Sequence, residues 1–323
     1  MDFKHGKWNI RCAGQTPEVD EIVQLATDLE AAEARGDLKL VKPPSDFRRV
    51  VSDRLSSGRE VFIKFYIPYG TWRTIKDRLR RGYSKAAYDL GIKLIQRGIL
   101  TPQPIAYGWK TSGFRIERSF TATERIAGAV DLGKKAAMAL KSNNRLQQED
   151  FVKALAGKLY ETHEKRFYHP DLKDFHVLVR DKGNDFELIF IDLDRCRLML
   201  FMPDIYRRRN LYQIRYYVLG GWPADLRTLF LEQYCKLWKQ DSNQAKVEVE
   251  KALKEEFKRL HDKELTLIKQ EKRALTLQAR LLKKFPMPED IEDRIDHRRE
   301  RKIERRREFG LWKAKVKAPK KQK

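Results

Sequence analysis

One stretch restricts the folds open to this chain more than any other. It begins Phe167-Tyr168-His169-Pro170-Asp171-Leu172-Lys173-Asp174-Phe175-His176, a polar turn carrying His, Asp and Lys. The apolar run Val177-Leu178-Val179 follows and reads as a short strand, with a hairpin tip at Asp181-Lys182-Gly183-Asn184. A second apolar strand, Leu188 to Ile191, then delivers Asp192 at its end, ahead of Leu193-Asp194-Arg195. Such a hairpin brings Asp171, His176 and Asp192 to one edge of a small sheet. Two acids and a histidine converging at strand ends suit a metal-dependent reaction on a phosphate group. Taken singly, each Asp is equally well an ordinary turn residue, so the signal lies in the combination.

His169, Asp171, Leu172 and Lys173 resemble, in register, the H-x-D-L-K catalytic loop of the protein-kinase-like fold, and Asp192 falls where that fold carries its metal-binding Asp. Protein kinases place Asn five residues after the loop Asp, where this chain has His176, and Ile191-Asp192-Leu193 stands in place of Asp-Phe-Gly. With these two departures the chain resembles the bacterial lipopolysaccharide core kinases, the Kdo and heptose kinases. The run Gly98-Ile99-Leu100-Thr101-Pro102-Gln103-Pro104-Ile105-Ala106 resembles the same family. The resemblance covers residues 38–235 and implies an α+β, two-lobed protein-kinase-like fold. Its small antiparallel N-lobe would span 38–126 and its helical C-lobe 127–240. Residues 1–37 would be an N-terminal extension, and 241–323 a charged helical, basic C-terminal extension.

A chain of 323 residues can bury a substantial core. Its net charge of +23 points to an anionic partner, whether nucleic acid, a membrane surface or an acidic substrate. Cys12, Cys196 and Cys235 lack metal-ligand spacing, and their odd number fits a reducing compartment without structural disulfides. Met1 to Gly6 opens no apolar run, so no signal peptide is expected. No stretch approaches the ~18–20 apolar residues of a membrane-spanning helix. The expectation is a cytoplasmic protein, peripheral on the inner face of the cytoplasmic membrane if bound there.

Along the chain, Trp8 to Arg11 reads as a short strand and 17–34 as a helix. Leu38 to Val41, Phe47 to Ser52 and Glu60 to Tyr66 read as a three-stranded meander whose first turn contains Ser45. Under the resemblance that turn covers the ATP phosphates, although it lacks a glycine-rich pattern. Lys64 ends the apolar run Val61-Phe62-Ile63, where its ammonium needs solvent or a partner. The resemblance implies that Lys64 reaches the α- and β-phosphates. Helices are expected over Thr71 to Arg80 and Ser84 to Arg97, and Asp89 is the one acid of the second that could replace the glutamate kinases pair with that lysine. Under the resemblance, Thr121 to Ile126, including Glu124, would lie at the hinge between the lobes that holds adenine. Further helices are expected over 131–140, 147–165 and 210–238, the last broken at Trp222-Pro223. Arg207, Arg208 and Arg209 read either as a solvated helix start or as a site for an acceptor phosphate. Residues 244–284 have a long charged helical pattern. Residues 298–323 hold thirteen Lys or Arg against three Glu, a segment suited to an anionic membrane surface, an acidic protein or, less well, nucleic acid.

The roles that the resemblance implies are these. Asp171 is the base for the attacking sugar hydroxyl, and Lys173 neutralises the γ-phosphate. Asp192, with His176, holds Mg²⁺. Lys64, Asp89, Ser45 and Glu124 contact or support ATP. The acceptor is an anionic glycolipid, the lipid A–core. Two other readings are an atypical, RIO-like protein serine/threonine kinase and a catalytically weak kinase-like module that binds an anionic partner.

Overall fold

The computed structural model describes residues 2–12, 17–35, 48–66, 82–112, 115–183, 185–238 and 247. The chain divides into two compact units whose sequences interleave. The first holds Met1–Leu132, Thr162–Asp171 and Phe175–Met202, and the second holds Gly133–Glu161, Leu172–Asp174 and Pro203–Lys323.

The first unit is built on a six-stranded antiparallel sheet. Its strands are β1 (Asp2–His5), β2 (Trp8–Cys12), β3 (Arg48–Arg54), β4 (Glu60–Tyr66), β5 (Pro104–Ser112) and β6 (Arg115–Glu124), in the order β1-β2-β5-β6-β4-β3. Period-2 alternation decides which face each side chain takes. Val61, Ile63 and Phe65 of β4 join Val51, Phe120, Ala122, Ala106 and Ile10 in one apolar core. Helix α1 (Pro17–Arg35) covers that face with Val19, Ile22, Val23 and Ala26, which fall at helical spacing. Residues before 38 thus supply two strands and the covering helix of this sheet. On the opposite face, α2 (Gly82–Gln96) packs Tyr88 against Tyr107, and the Thr121 hydroxyl donates to the Ser84 carbonyl at 3.1 Å. Because Lys64 alternates with Ile63 and Phe65, it lies on this second face, together with Tyr66 and, across the β3–β4 register, Val50 and Arg48.

Helix α2 stops in a Schellman turn. Gly98 takes φ +65°, its N–H reaches the Ile95 carbonyl at 2.9 Å, and the Ile99 N–H reaches Leu94 at 2.9 Å. The chain then meets the strand that carries the site. Leu100 bridges Ile189 in parallel, the Phe190 N–H donates to the Leu100 carbonyl at 2.9 Å, and the Thr101 hydroxyl donates to the Phe190 carbonyl at 2.8 Å. That is the physical use of the Gly98–Ala106 run. Strands β7 (Val130–Asp131), β9 (Val177–Lys182) and β10 (Asp185–Phe190) form a three-stranded sheet, while β8 (Phe167–Tyr168) pairs with β11 (Arg197–Leu198). The hairpin strands run further than the sequence suggests, which shortens the tip.

The second unit is helical, with α3 (Leu132–Lys141), α4 (Arg145–Glu164), α5 (Asp204–Tyr217) and α6 (Ala224–Leu237). Phe151 stacks on Trp222 at 5.6 Å and Tyr160 meets Tyr234 edge-on at 5.8 Å. Arg207 is neither a solvated helix start nor an open phosphate site. It is buried, with its guanidinium 5.4 Å from the Trp238 ring and Nη1 donating to the Tyr234 hydroxyl at 3.1 Å. The meander strand at 38–41, Ser45, the basic helix at 71–80 and both C-terminal segments fall outside the described residues. Among the described residues no helix is long and apolar enough to cross a membrane.

A β-carbon at Gly108 would overlap the buried Phe120 ring on the neighbouring strand. Gly108→Ala is therefore expected to destabilise the protein by about 1–3 kcal/mol, as overpacking does. Urea unfolding monitored by circular dichroism measures this.

Candidate active site

The site grows from the two ends of the β9–β10 hairpin. Ahead of β9, the loop from His169 to His176 closes on itself. His176 Nδ1 lies 2.7 Å from the Asp171 carbonyl. A carbonyl only accepts, so Nδ1 carries a proton and donates it there, while Nε2 lies 3.5 Å from Asp192 Oδ2. At the other end, β10 finishes at Phe190 and the chain turns sharply. Asp192 takes φ 61° and ψ 51°, a left-handed conformation that Asp tolerates better than most residues.

His169 ties these two ends together. Its Nε2 is 3.0 Å from the Ile191 carbonyl, and the Asp171 N–H donates to its Nδ1 at 3.3 Å. Both ring nitrogens are thus used by a neutral imidazole. Burial, the largest influence, pushes the His169 pKa down to about 4.

The charged centre lies on the second face of the six-stranded sheet. The Lys64 ammonium bonds Asp192 Oδ1 and reaches both Asp194 oxygens at 2.8 Å. Arg48 Nη1 adds contacts of 3.3 Å to Asp192 and 3.1 Å to Asp194, and the Tyr66 hydroxyl donates to Asp194 at 2.6 Å. Two cations and two carboxylates therefore balance within one half-buried cluster. Burial alone would raise the Asp192 pKa, but Lys64 beside it, with His176 and Arg48, holds the carboxyl well below the usual carboxylate range. Burial pushes the Tyr66 phenol well up, and the charge of Asp194 adds to this, so the hydroxyl stays a donor. The Cys196 thiol, which points at the Asp192 carbonyl, is likewise pushed up by burial and by the two aspartates.

The structure brings together Lys64, Asp171, His176 and Asp192, which the sequence singled out, and adds Asp194, Arg48 and Tyr66. Asp171 is 3.6 Å from His176 through their side chains, and its carboxylate is nearly half exposed. Asp89 does not support Lys64: it pairs with Lys85 one turn away on α2, and Lys64 uses the aspartates after β10 instead. Helical i,i+4 spacing makes the Lys85 contact local and easy to form. Glu124 directs its carboxylate to Arg59 at 2.8 Å, an ion pair of the sheet, and its N–H donates to the Gln103 carbonyl at 3.0 Å. Lys173 lies two residues past Asp171, half-buried in the short stretch assigned to the second unit. Arg48 and Tyr66 had one detectable signal, strand parity: with β3 and β4 in register, both share a face with Lys64. Asp194 is visible in the sequence as the second acid of an Asp-Leu-Asp run, and its partners are Lys64, Arg48 and Tyr66.

Among the described residues no three His, Cys, Asp or Glu side chains form an all-protein metal cage. The donors present nevertheless fit a nucleotide-bound Mg²⁺, which draws one or two carboxylates from protein and its other ligands from phosphates and water. Asp192 provides the carboxylate, and His176 Nε2 lies 3.5 Å from it.

A comparison with known families matches residues 48–234 to the model of the lipopolysaccharide kinase (Kdo/WaaP) family. The chain belongs to that family. The match spans both strands bearing Arg48 and Lys64 as well as the whole hairpin. A solved structure of WaaP in complex with acyl carrier protein aligns with 76% of this chain and 98% of that one, at a TM-score of 0.54 and 22% identity. That likeness shows the fold, an α+β protein-kinase-like one, as the sequence motifs imply. No curated protein gives a match.

The neutral His169 makes a pH test available. Unfolded, it titrates near its ordinary value of 6.5; folded, only near about 4. Between those values the unfolded chain binds a proton that the folded chain refuses. Its contribution is therefore complete above the ordinary value and is lost as pH falls toward the folded one. Urea unfolding at pH 7.5 and pH 5 should show the wild type losing about 2 kcal/mol more than His169→Gln over that interval.

Proposed function

We propose that this protein transfers the γ-phosphoryl group of ATP to a hydroxyl of a Kdo or heptose in the lipopolysaccharide inner core. The observation that carries this reading is the meeting of Lys64, Asp171, His176 and Asp192 at the ends of one hairpin in a lipopolysaccharide kinase family member. Phosphoryl transfer needs positioning and charge neutralisation more than covalent chemistry. Asp171 orients the sugar hydroxyl and accepts its proton, and its exposed carboxylate leaves room for an incoming acceptor. Neutral His169 holds the Asp171 backbone against the strand end, and His176 closes the loop from the other side.

Lys64 binds the α- and β-phosphates. With nucleotide bound, Lys64 would hold phosphate in place of Asp192 while keeping Asp194, and Asp192 would be available to hold a divalent ion. Arg48, reaching the same two aspartates, adds a second cation for the phosphates. Lys173 neutralises charge developing on the γ-phosphate. Mg²⁺ held by Asp192, with His176 at its side, supplies neutralisation of the phosphate oxygens when bound. The acceptor carries acidic sugars and lipid phosphates, which a chain of net charge +23 attracts at the inner membrane face, with the 298–323 segment adding peripheral contact.

Transfer of label from γ-labelled ATP with Mg²⁺ tests the proposal. The acceptors are a Kdo-bearing lipid A, a heptose-bearing core and a mixed protein preparation. Label is expected on a glycolipid, with Asp171→Asn lowering the rate by about 10²–10⁴-fold, the range for loss of a general base. Label on protein alone, or glycolipid labelling that Asp171→Asn leaves intact, would contradict it.

A further inference from the structure

The segment after the active-site aspartates carries the two most exposed large apolar side chains among the described residues. Leu200 is 88% exposed and Phe201 72%. Lone exposed apolar residues need no explanation, but an adjacent pair on a bend ringed by cations does. Backbone hydrogen bonds show how that ring is built. Arg197 pairs with Tyr168 in the β8–β11 ladder, and the Met199 N–H donates to the Arg166 carbonyl at 3.0 Å, so the bend stands beside the Lys165-Arg166 turn. Lys165 Nζ in turn donates to the Gly98 carbonyl at 2.7 Å, and Arg97 Nη1 donates to the Lys165 carbonyl at 3.4 Å. Arg97, Lys165, Arg166, Arg195 and Arg197 are all exposed, as is Lys93 on α2. Arg166 adopts φ 64°, a conformation that Gly or Asn takes at lower cost.

Between α2 and residues 196–201 lies an open groove of about 520 Å³, with Leu90, Met199, Leu200 and Phe201 among its walls alongside Lys93 and Arg197. Of the acids nearby in the chain, Asp89 pairs with Lys85, Asp192 and Asp194 pair with Lys64 and Arg48, and Glu164 and Asp204 are exposed. Cations around an apolar bend match a bilayer interface, where apolar side chains enter the acyl boundary and Lys or Arg meet lipid phosphates.

We infer that the face built around Leu200 and Phe201 docks the first unit on an anionic membrane surface. It rests on the glycolipid reading for its purpose, but the docking itself is measured without ATP or acceptor. Docking here brings the segment directly after Asp192 and Asp194 to the lipid surface, where a membrane-anchored sugar is presented.

The test is flotation of the full-length protein with vesicles of phosphatidylcholine alone or with about one third phosphatidylglycerol, a content that sets the anionic surface potential. Wild type is expected to float with the anionic vesicles. Leu200→Asp/Phe201→Asp should weaken that binding at least about ten-fold, from lost insertion and added repulsion. Arg166→Ser/Arg197→Ser should weaken it by about five-fold or more. The thermal midpoint of each variant is measured alongside, and a variant that keeps the wild-type midpoint is the one read. Wild type that ignores lipid charge, or folded variants that bind as well as wild type, would overturn the inference. Phosphotransfer to a deacylated, water-soluble acceptor should be unchanged in Leu200→Asp/Phe201→Asp. A loss there would place these residues in the chemistry rather than in docking.

Discussion

Lys64 is a cation on a strand whose other face fills the core, and the energetics of that position shape the site. An ammonium taken largely out of water needs opposite charge and hydrogen-bond acceptors. Protein kinases meet this requirement with a glutamate on the helix beside the sheet. Here the equivalent helix offers only Asp89, which is spent on Lys85, and the acids come instead from the turn after β10. The same turn carries the proposed metal-binding aspartate, so one short segment both anchors the lysine and prepares for the nucleotide. Arg48 and Tyr66 complete the cluster from β3 and β4.

That arrangement makes the turn at Asp192 the point on which the rest depends. Its left-handed backbone is held from three directions. The Ile191 carbonyl is engaged by His169, the Ile191 N–H by the His176 carbonyl at 3.0 Å, and the preceding strand by Leu100 and Thr101. The Gly98 turn that ends α2 sets the chain on its path to Leu100 and Thr101. Residues far apart in sequence therefore share one purpose, holding two aspartates opposite one lysine.

Much of this was readable beforehand, for local reasons. The hairpin announces itself through short apolar strands around a Gly-Asn tip, and the polar loop before it carries chemistry in fixed register. Lys64 stands out because a lysine ending an apolar strand is unusual. What escaped the sequence depends on pairing between strands. Arg48 looks like any strand arginine until β3 is set against β4. The N-terminal strand and helix are legible in the sequence, but their place in the sheet is not, because β1 and β2 acquire it only as an edge added to β5. Arg207 shows the opposite error, since an arginine run suggests solvent or phosphate, while aromatic rings from α4 and α6 enclose its first member. Asp89 was proposed from helix position alone, and the contact it makes is the one its own helix supplies.

In this site the aspartate pair, and not helix α2, positions Lys64. A double-mutant cycle on kcat/KM for ATP measures it most directly, using Lys64→Met with Asp194→Asn and, separately, Lys64→Met with Asp89→Asn. Contacting charged partners are strongly non-additive, whereas independent sites add to within about 0.3–0.5 kcal/mol. Strong coupling between Lys64 and Asp194, with none between Lys64 and Asp89, is the predicted result. Coupling to Asp89 together with additivity at Asp194 would mean that the helix, and not the aspartate pair, controls the lysine.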